Sequence, residues 1–426
     1  MTRQRVPVET LSYHPNGEET APLAWCWFSS PRAIIDHDVP DGPRVLIGAV
    51  SDETSVSSGD LVVLWRDLAS GTTGSSPLRT DFERDDHDDP ALAIRPDGRY
   101  LAVYAKHNAD DRLRWRVSED PHDPTSWTPE RTLDVGARVT YANVYRQGGR
   151  TFCFSRAINW DPTVFVSSDH GATWSVAGRM LAFDGPAQRP YPRYVRADDG
   201  AVHLITTEAH PHRYENGIGH GVIRDGRLTD ATGTTLVEDV GARGNEPADV
   251  RSLTPVFEAN STVDGDLLTR AWTVDIAATD GRPVAIVQAR HEDDRRDHRF
   301  LYCRLEDGDW QAERLAPAGG YFYAGEWDYT GLAAIDPSDP ERVLVSTTVD
   351  PVSGRKRDRY GIYAGTRDGK GDWTWREIAV ADDRDFRRPI LVGTEDPVAF
   401  WMAGPYHTYR RWETTVEWCA SPFDAR

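Results

Sequence analysis

The sequence predicts an all-β protein that folds as a single seven-bladed β-propeller over residues 1–426. Three observations lead to this fold. Short strand-like segments dominate the chain, turn signals separate them at regular intervals, and one stretch of sequence recurs far along the chain. Many short strands with regular turns are typical of a sandwich, a barrel or a propeller. The recurrence favours the propeller, because its blades are copies of one structural unit.

The strand-like segments are short and rich in β-branched and aromatic residues. The clearest are Arg44–Val50, Leu61–Trp65, Ala91–Ile94, Leu101–Tyr104, Leu113–Val117, Thr163–Ser167, Val202–Thr206 and Arg342–Thr347. Asp-Gly pairs lie between such segments at 97–98, 225–226, 280–281 and 307–308. Because Gly tolerates the backbone shapes of tight turns, these pairs predict hairpins.

Two repeat signatures mark the blades. DGRYLAVYAKH at 97–107 resembles DGRPVAIVQARH at 280–291. SSDHGATW at 167–174 fits the Asp-box pattern S-x-D-x-G-x-T-W, and weaker versions lie at 118–127 and 366–373. We expect Asp169 to bind loop amides, Gly171 to adopt a turn conformation and Trp174 to pack between blades. A blade of about 50–60 residues gives seven or eight blades, of which we predict seven.

Composition limits the partners and the compartment. The net charge of −19 argues against nucleic acid and against an anionic membrane as partners. No apolar run approaches the length of a membrane span, and the start, MTRQRVPVET, lacks the apolar stretch of an export signal. We expect a cytoplasmic protein, or a secreted one whose signal has been removed. The four cysteines are far apart and are predicted to be buried thiols.

Propellers bind ligands on the axis, where the innermost strands and their connecting loops converge. Polar residues at strand ends are therefore the candidates for a site. They are Arg32, His87, His107, Tyr141, Asn143, Arg156, Arg189, Tyr191, His210, His212, His220 and Arg388. Such a set suits an anionic sugar, because Arg binds a carboxylate and His or Tyr can transfer a proton. The histidine spacing fits no standard zinc pattern, so no metal site is predicted.

Several motifs, in order along nearly the whole chain, carry a family resemblance. They are WCWFSSPRAI (25–34), DDHDDPALAIRPDGR (85–99), YAKHN (104–108), YAN (141–143), the Asp box, RPY (189–191), EAHP (208–211), AWTVDIAATDGRP (271–283) and FWMAGPYHTY (400–409). The pattern resembles the neuraminidase-repeat family that contains ulvan lyases and rhamnose–glucuronate lyases. That resemblance implies a seven-bladed propeller and β-elimination at a uronic acid, with a uronate-containing oligo- or polysaccharide as the partner.

The resemblance also implies a set of working residues. His87 and His107 match the two histidines of those lyases, and Tyr141 and Arg156 match their tyrosine and arginine. We expect Arg156 to offset the uronate carboxylate, either histidine to act as base, and Tyr141 to act as acid or in both roles. The predicted substrate-binding residues are Arg32, Arg189, Tyr191, His210, His212 and Arg388. The chemistry requires no cofactor, although the acidic composition would tolerate a structural calcium on the axis.

Two alternatives remain open. A sialidase-like glycoside hydrolase shares the fold, and Arg32, Arg189 and Arg388 could supply its three carboxylate-binding arginines. Its nucleophilic tyrosine with a supporting Glu, and its separate Asp acid, are not identifiable in the sequence. A non-catalytic carbohydrate-binding propeller would use the same groups only to bind a glycan.

Overall fold

The structure, a computed structural model, describes residues 7–15, 19–52, 59–185, 189–393 and 396–424. Within these ranges seven antiparallel sheets form the blades of a β-propeller, which confirms the predicted fold. Residues 1–6, part of the stretch on which the expectation about an export signal depends, lie outside the described residues. No helix in the described ranges is long and apolar enough to cross a bilayer.

Each blade is built around an antiparallel meander that runs from the innermost strand outwards. Blade one contains Ala33–Asp36, Arg44–Ser51, Leu61–Asp67 and Thr73–Arg79, with Leu23–Ala24 also paired to Arg44–Ser51. Blade two contains Ala91–Ile94, Tyr100–Tyr104, Arg112–Val117 and Arg131–Asp134. Blade three contains Thr140–Gln147, Arg150–Arg156, Pro162–Ser167 and Ser175–Arg179.

The later blades carry additional short strands. Blade four contains Pro192–Arg196, Val202–Thr207, Ile218–Arg224, Arg227–Thr229 and Thr235–Val237, with Thr254–Phe257 paired to Ile218–Arg224. Blade five contains Asp266–Thr279, Arg282–Arg290, His298–Glu306 and Asp309–Gly319, with Ser261–Val263 paired to Asp266–Thr279. Blade six contains Ala333–Ile335, Arg342–Val349, Lys356–Arg367 and Trp373–Ala379. Blade seven contains Phe386–Val392, Val398–Ala403, Thr415–Ala420 and Glu9–Leu11.

The two ends of the chain meet in blade seven. Its outermost strand, Glu9–Leu11, comes from the N-terminal end and pairs antiparallel with Thr415–Ala420 from the C-terminal end. Two small sheets lie outside the blades: Leu181–Ala182 with Ala248–Asp249, and Tyr406–Thr408 with Arg411–Trp412. Short 3-10 helices occur at Asp86–Asp88, Ile158–Trp160 and Val250–Ser252. The ring is thus closed by hydrogen bonds between strands from its two ends.

The hydrophobic core lies between neighbouring blades. One buried cluster joins Leu101 and Trp115 of blade two to Phe165 and Trp174 of blade three, and comparable clusters join blades three and four, four and five, and six and seven. Each inner blade face is covered by the next blade, which is why strand residues of both faces are apolar. All four cysteines are buried and unpaired in the described chain, as predicted.

The Asp box forms the predicted hairpin turn. Asp169 accepts the backbone N–H of Thr173 at 2.8 Å, and the hydroxyl of Ser167 accepts that of Gly171 at 2.7 Å. Gly171 has a φ of +86°, and a Cβ there would lie 2.4 Å from Leu101 Cδ2 of blade two. Trp174 packs between blades two and three. These contacts confirm the structural role assigned to the motif.

Four innermost strands share a distortion at the end where they begin. Tyr141, Arg270, Leu332 and Arg388 have φ values of 55–70° at this point of blades three, five, six and seven. In blades three, five and seven the strand pairing also shifts register there. Such a bulge changes the direction of a side chain relative to the regular alternation of the strand. The repeated bulge brings Tyr141 and Arg388 into one axial cavity.

Three histidines are buried inside blades four and five. His203 Nδ1 lies 3.1 Å from His220 Nε2, and His298 Nδ1 lies 3.2 Å from the carbonyl of Gly319. Burial lowers the pKa of His203 and His298 to about 4 and that of His220 to about 3. The unfolded chain therefore binds more protons than the folded chain below a pH of about 6.5.

We expect acid to destabilise the fold through these histidines. The free energy of unfolding should fall as the pH drops from 6.5 towards 4, by about 2 kcal/mol for each histidine at pH 5. Denaturant unfolding at several pH values measures this slope. His220→Gln should reduce the slope, and His37→Gln, at an exposed position, is the control. A stability that stays constant between pH 7 and 5 would contradict the assignment.

Candidate functional site

A cavity of about 210 Å³ opens on the axis at the face where the innermost strands begin. Its walls come from six of the seven blades and their connecting loops. The lining residues are Cys26, Trp27, Phe28, Asp86, His87, His107, Asn108, Tyr141, Arg156, Trp160, Tyr191, His210, Tyr323, Glu326, Tyr329, Arg388, Tyr406 and Tyr409. A wider axial channel of about 1010 Å³ is lined by the same innermost strands further along, towards their other ends.

A single buried carboxylate holds the two predicted catalytic histidines. Asp85 Oδ1 lies 2.7 Å from His87 Nδ1, and Asp85 Oδ2 lies 3.0 Å from His107 Nδ1. The two imidazole rings stack with centroids 3.8 Å apart and planes 5° from parallel. Because each Nδ1 faces Asp85, the Nε2 of each ring is the nitrogen left for a ligand in the cavity. Arg410 Nε also donates to Asp85 Oδ2, at 3.1 Å.

The pKa values of the two rings that share Asp85 are shifted in opposite directions. Burial lowers the pKa of His87, but Cys26, Tyr141 and Asp85 around the ring outweigh burial and hold it well above its ordinary value. Burial and the charge of His87 together lower the pKa of His107, despite its bond to Asp85. Burial raises the pKa of Asp85, but the two histidines reverse this and hold it far below its ordinary value. At neutral pH the cluster thus contains a cationic His87, a neutral His107 and an ionised Asp85.

Aromatic rings fix this pair in place. Tyr409 meets both imidazoles edge-on, with centroids 5.2 Å from His87 and 5.6 Å from His107. The ring of Tyr141 lies 5.5 Å from that of His87 and is packed edge-on against Phe28. Burial raises the pKa of Tyr141 above its ordinary value, more than the nearby positive charges lower it. Tyr141 is therefore a protonated phenol next to the histidine pair.

Arg156 contributes a guanidinium without a carboxylate partner. It is 7% exposed, and its Cζ lies 4.0 Å from the ring centre of Tyr191 and 5.1 Å from that of Tyr141. Its Nε and Nη2 have no hydrogen-bond partner among the described residues. Burial lowers the pKa of Arg156, but Tyr191 and Tyr141 reverse this and raise it. A buried, permanently charged group with free N–H donors is suited to bind an anion.

The other aspartates next to His87 are also buried, and two of them are paired with arginines. Asp86 Oδ2 accepts from Arg388 Nη1 at 2.9 Å and from the hydroxyl of Tyr406. Asp89 forms an ion pair with Arg32 Nε at 3.0 Å. Burial raises the pKa of Asp88 well above its ordinary value. Asp86 and Asp89 of the acidic run are therefore buried and compensated by arginines.

Seven of the ten predicted site residues line the cavity: His87, His107, Tyr141, Arg156, Tyr191, His210 and Arg388. His210 accepts the backbone N–H of His212 through Nδ1 at 3.2 Å, and burial lowers its pKa to about 3. It is therefore neutral, with Nε2 facing the hydroxyl of Tyr329 at 3.5 Å. Tyr191 packs edge-on against Phe28.

The other three lie outside this lining. Arg32 is in the wall of the axial channel, bound to Asp89. Arg189 Nε lies 3.6 Å from Asp161, and its Nη1 donates to the carbonyl of Phe183. The His212 side chain is 39% exposed, 3.8 Å from Asp328. All three arginines were predicted at strand ends, and that position does not show which of them is bound to an aspartate. In the structure Arg32 pairs with Asp89 and Arg189 lies against Asp161, whereas Arg156 has no carboxylate partner among the described residues.

Several lining residues were not predicted from the sequence. Glu326 and Tyr329 precede the innermost strand of blade six, and Tyr406 and Tyr409 lie in the loop of blade seven. Burial raises the pKa of Glu326 to about 7, more than the nearby charge of His87 lowers it. Position gave a signal only for Glu326 and Tyr329, which lie before an innermost strand, whereas Tyr406 and Tyr409 lie between the second and third strands of blade seven.

Two overlapping sets of side chains have the donor atoms of a metal site. They are Cys26 with Asp86 and His87, and Asp85 with His87 and His107, and within each set the atoms lie within 4.8 Å of one another. The second set is the hydrogen-bonded cluster already described, in which Asp85 is the acceptor for both rings. These hydrogen bonds account for the position of both histidines.

The fold and the site together define a β-propeller of the Asp-box type with one charged axial cavity. A sequence model of the BNR repeat-containing family matches residues 55–318, more than half of the chain, and the chain belongs to that family. No curated protein matches the chain.

Solved structures with the same fold include polysaccharide lyases. An ulvan lyase of family PL25 bound to -[GlcA(1-4)Rha3S]- is 13% identical, with a TM-score of 0.63 over 93% of this chain and 92% of that chain. The polysaccharide lyase Uly1 is 12% identical, with a TM-score of 0.54 over 96% of this chain and 93% of that chain. At this level of identity the likeness is one of fold.

We expect the Asp85→Asn variant to lower the pKa of His87. The variant keeps the size of the side chain but removes the charge that favours the imidazolium, so the pKa should fall by at least about one unit. Titration of the imidazole signals by NMR measures it. Asp111→Asn, at an exposed position outside the cavity, is the matched control. A His87 titration that is the same in both variants would show that Asp85 does not set its charge.

Proposed function

We propose that the protein is a polysaccharide lyase that cleaves a glycan at a uronic acid by β-elimination. The observation that carries the proposal is the unpaired guanidinium of Arg156, buried in the same cavity as the two histidines on Asp85. The guanidinium suits a carboxylate, and the histidines suit proton transfer. Glucuronate linked to rhamnose is the first substrate to test, because the ulvan lyase of the same fold binds that disaccharide unit.

The reaction places specific demands on the site. A base removes the proton from C5 of the uronate, the electrons form the C4–C5 double bond, and the bond from C4 to the leaving oxygen breaks. Charge develops on the carboxylate as C5 loses its proton, so a cation fixed against the carboxylate lowers the barrier. Arg156 is the cation in the cavity without an anionic partner, and we assign this role to it.

The protonation states suggest the other roles. His107 is neutral at neutral pH, and its Nδ1 faces Asp85, so its Nε2 lone pair can act as the base. Tyr141 is protonated and can deliver a proton to the leaving oxygen. His87 is cationic and adds positive potential beside the reacting carbon.

The hydrolase alternative receives less support from the arginines. Arg32 binds Asp89, Arg189 lies against Asp161, and Arg388 binds Asp86. Each of the three thus has its own buried aspartate, and only Arg388 lines the cavity. A cluster of three free arginines around one carboxylate is not formed by these residues.

A spectroscopic screen tests the proposal. Elimination creates a C4–C5 double bond conjugated to the carboxylate, which absorbs in the ultraviolet, whereas hydrolysis creates reducing ends without that absorbance. The protein should be incubated with ulvan, gum-arabic-type glycans and other glucuronate-containing fragments. New absorbance supports a lyase; reducing ends alone identify a hydrolase, and binding without either product identifies a carbohydrate-binding propeller.

The variant Arg156→Lys should lower turnover by at least about a hundredfold, because it keeps the charge but loses the planar two-point contact with a carboxylate. Arg146→Lys, in the axial channel of the same blade, is the matched control and should retain activity. Melting temperature is measured on the same preparations. An Arg156→Lys protein that is less stable but fully active would show that Arg156 stabilises the fold and takes no part in the reaction.

Activity should survive EDTA, because Arg156 supplies the positive charge that a metal would otherwise place against the uronate. Turnover is measured before and after chelation and after adding back calcium or zinc. Loss in EDTA with recovery on adding one of these ions would show that one of the two histidine-containing sets holds a metal.

A further inference from the structure

Trp160 stands at the mouth of the cavity with its ring in solvent. All fifteen tryptophans lie in the described ranges, and Trp160, at 47% exposure, is the only one of them that is exposed. It lines the cavity together with Arg156. Its ring forms no aromatic or cation contact with another described residue. A large apolar ring that lines a polar cavity is available for contact with a ligand held there.

The loop that carries Trp160 is held in an uncommon conformation. Asn159 and Trp160 have φ values of 55° and 63°, which bulky side chains rarely adopt. The N–H of Trp160 donates to the carbonyl of Ala157 at 2.9 Å, and Asn159 Nδ2 donates to Asp161 at 3.1 Å. Residues in such conformations persist where the surrounding structure fixes them, and they cluster at ligand sites.

Asp161 anchors this loop to the body of blade three. It is fully buried, its Oδ2 accepts from Arg179 at 3.0 Å, and its Oδ1 lies 3.6 Å from Arg189. The exposed indole is therefore carried by a turn that hydrogen bonds and ion pairs of Asp161 hold in place. Arg189 is thus next to the residue that anchors the Trp160 loop.

The distance along the chain links the indole to the proposed uronate site. Arg156 is the last residue of the strand Arg150–Arg156, and Trp160 is four residues further on, in the turn before Pro162–Ser167. Four residues span at most about 14 Å even when extended, and the hydrogen bond between Ala157 and Trp160 shortens this turn. A sugar bonded to a uronate on Arg156 therefore comes within reach of Trp160.

We infer that Trp160 forms a second subsite, in which the indole stacks on the C–H face of an uncharged sugar ring next to the uronate. The inference rests on the proposed function. Aromatic rings bury apolar area against flat, partly apolar partners, and a pyranose presents such a face. A second uronate is less suited to this position, because no arginine or lysine of the described chain contacts the indole. The subsite makes an oligosaccharide, rather than a single uronate, the preferred substrate.

Length-dependent kinetics test the subsite. In Trp160→Ala, the KM for a glucuronate–rhamnose tetrasaccharide should rise about tenfold, the effect of losing one aromatic contact, with kcat nearly unchanged. Trp160→Phe should restore most of the affinity. Leu267→Ala removes another exposed apolar side chain, on blade five, and should behave as the unmodified protein. An unchanged KM in Trp160→Ala, or a lower kcat together with a lower melting temperature, would overturn the inference.

A binding measurement separates failure of the subsite from failure of the proposed function. Tryptophan fluorescence is titrated with the tetrasaccharide and with free glucuronate. The tetrasaccharide should quench the unmodified protein, Trp160→Phe should lose that quenching, and glucuronate alone should give little. Quenching without any ultraviolet-absorbing product would refute the lyase and retain the subsite. Equal quenching in Trp160→Phe would refute the subsite, whatever the activity.

Discussion

The buried carboxylate of Asp85 determines the arrangement of the site. A carboxylate removed from water is costly unless hydrogen bonds and opposite charge compensate it, and in this cavity the two histidines and Arg410 provide both. This compensation fixes the orientation of the two histidine rings. Both rings must present Nδ1 to Asp85, so they stack in parallel and present Nε2 elsewhere. One carboxylate is bonded to both imidazoles, and two imidazolium charges so close together would repel each other. The two rings therefore bind a proton with different affinities. The difference between a cationic and a neutral histidine thus follows from one hydrogen-bonded group.

The propeller supplies the positions at which such a cluster can be built. Connections that precede innermost strands reach the axis, and in blades three and seven the bulge changes the direction of a side chain near the start of the innermost strand. Tyr141 and Arg388 reach the cavity in this way from blades three and seven, while the 3-10 helix Asp86–Asp88 enters from the connection before blade two. Hydrogen bonds then join blades that are distant in sequence: Arg388 meets Asp86 although 302 residues separate them. Ring closure by Glu9–Leu11 holds these contributions together.

Much of this could be predicted from the sequence, for identifiable reasons. Strand and turn signals are local, so the strands and the Asp box were located closely; the predicted segment Ala91–Ile94 is the observed strand. The polar residues before innermost strands gave His87, Tyr141 and Tyr191. Pairing could not be predicted, because it depends on contacts between blades. Arg156 and Arg189 look alike in sequence. In the structure, however, Asp161 lies against Arg189, and no carboxylate of the described chain pairs with Arg156. Glu326 was missed because its loop carries no motif, whereas Tyr409 lies in the motif at 400–409, which indicated the family resemblance but not a site residue.

Local compensation, rather than the overall charge, decides which ligand the cavity favours. The chain carries a net charge of −19, which on its own would repel an anionic glycan. Within the cavity, however, Asp86 is neutralised by Arg388, and burial raises the pKa of Glu326 to about 7, so its negative charge is only partial at neutral pH. Arg156 has no such partner among the described residues. Charges on the outer surface act through water and salt, where they are screened within about 10 Å, whereas a buried guanidinium acts at short range in a medium that screens it little. An acidic protein can therefore present a cationic pocket, provided that every other buried charge in it is matched.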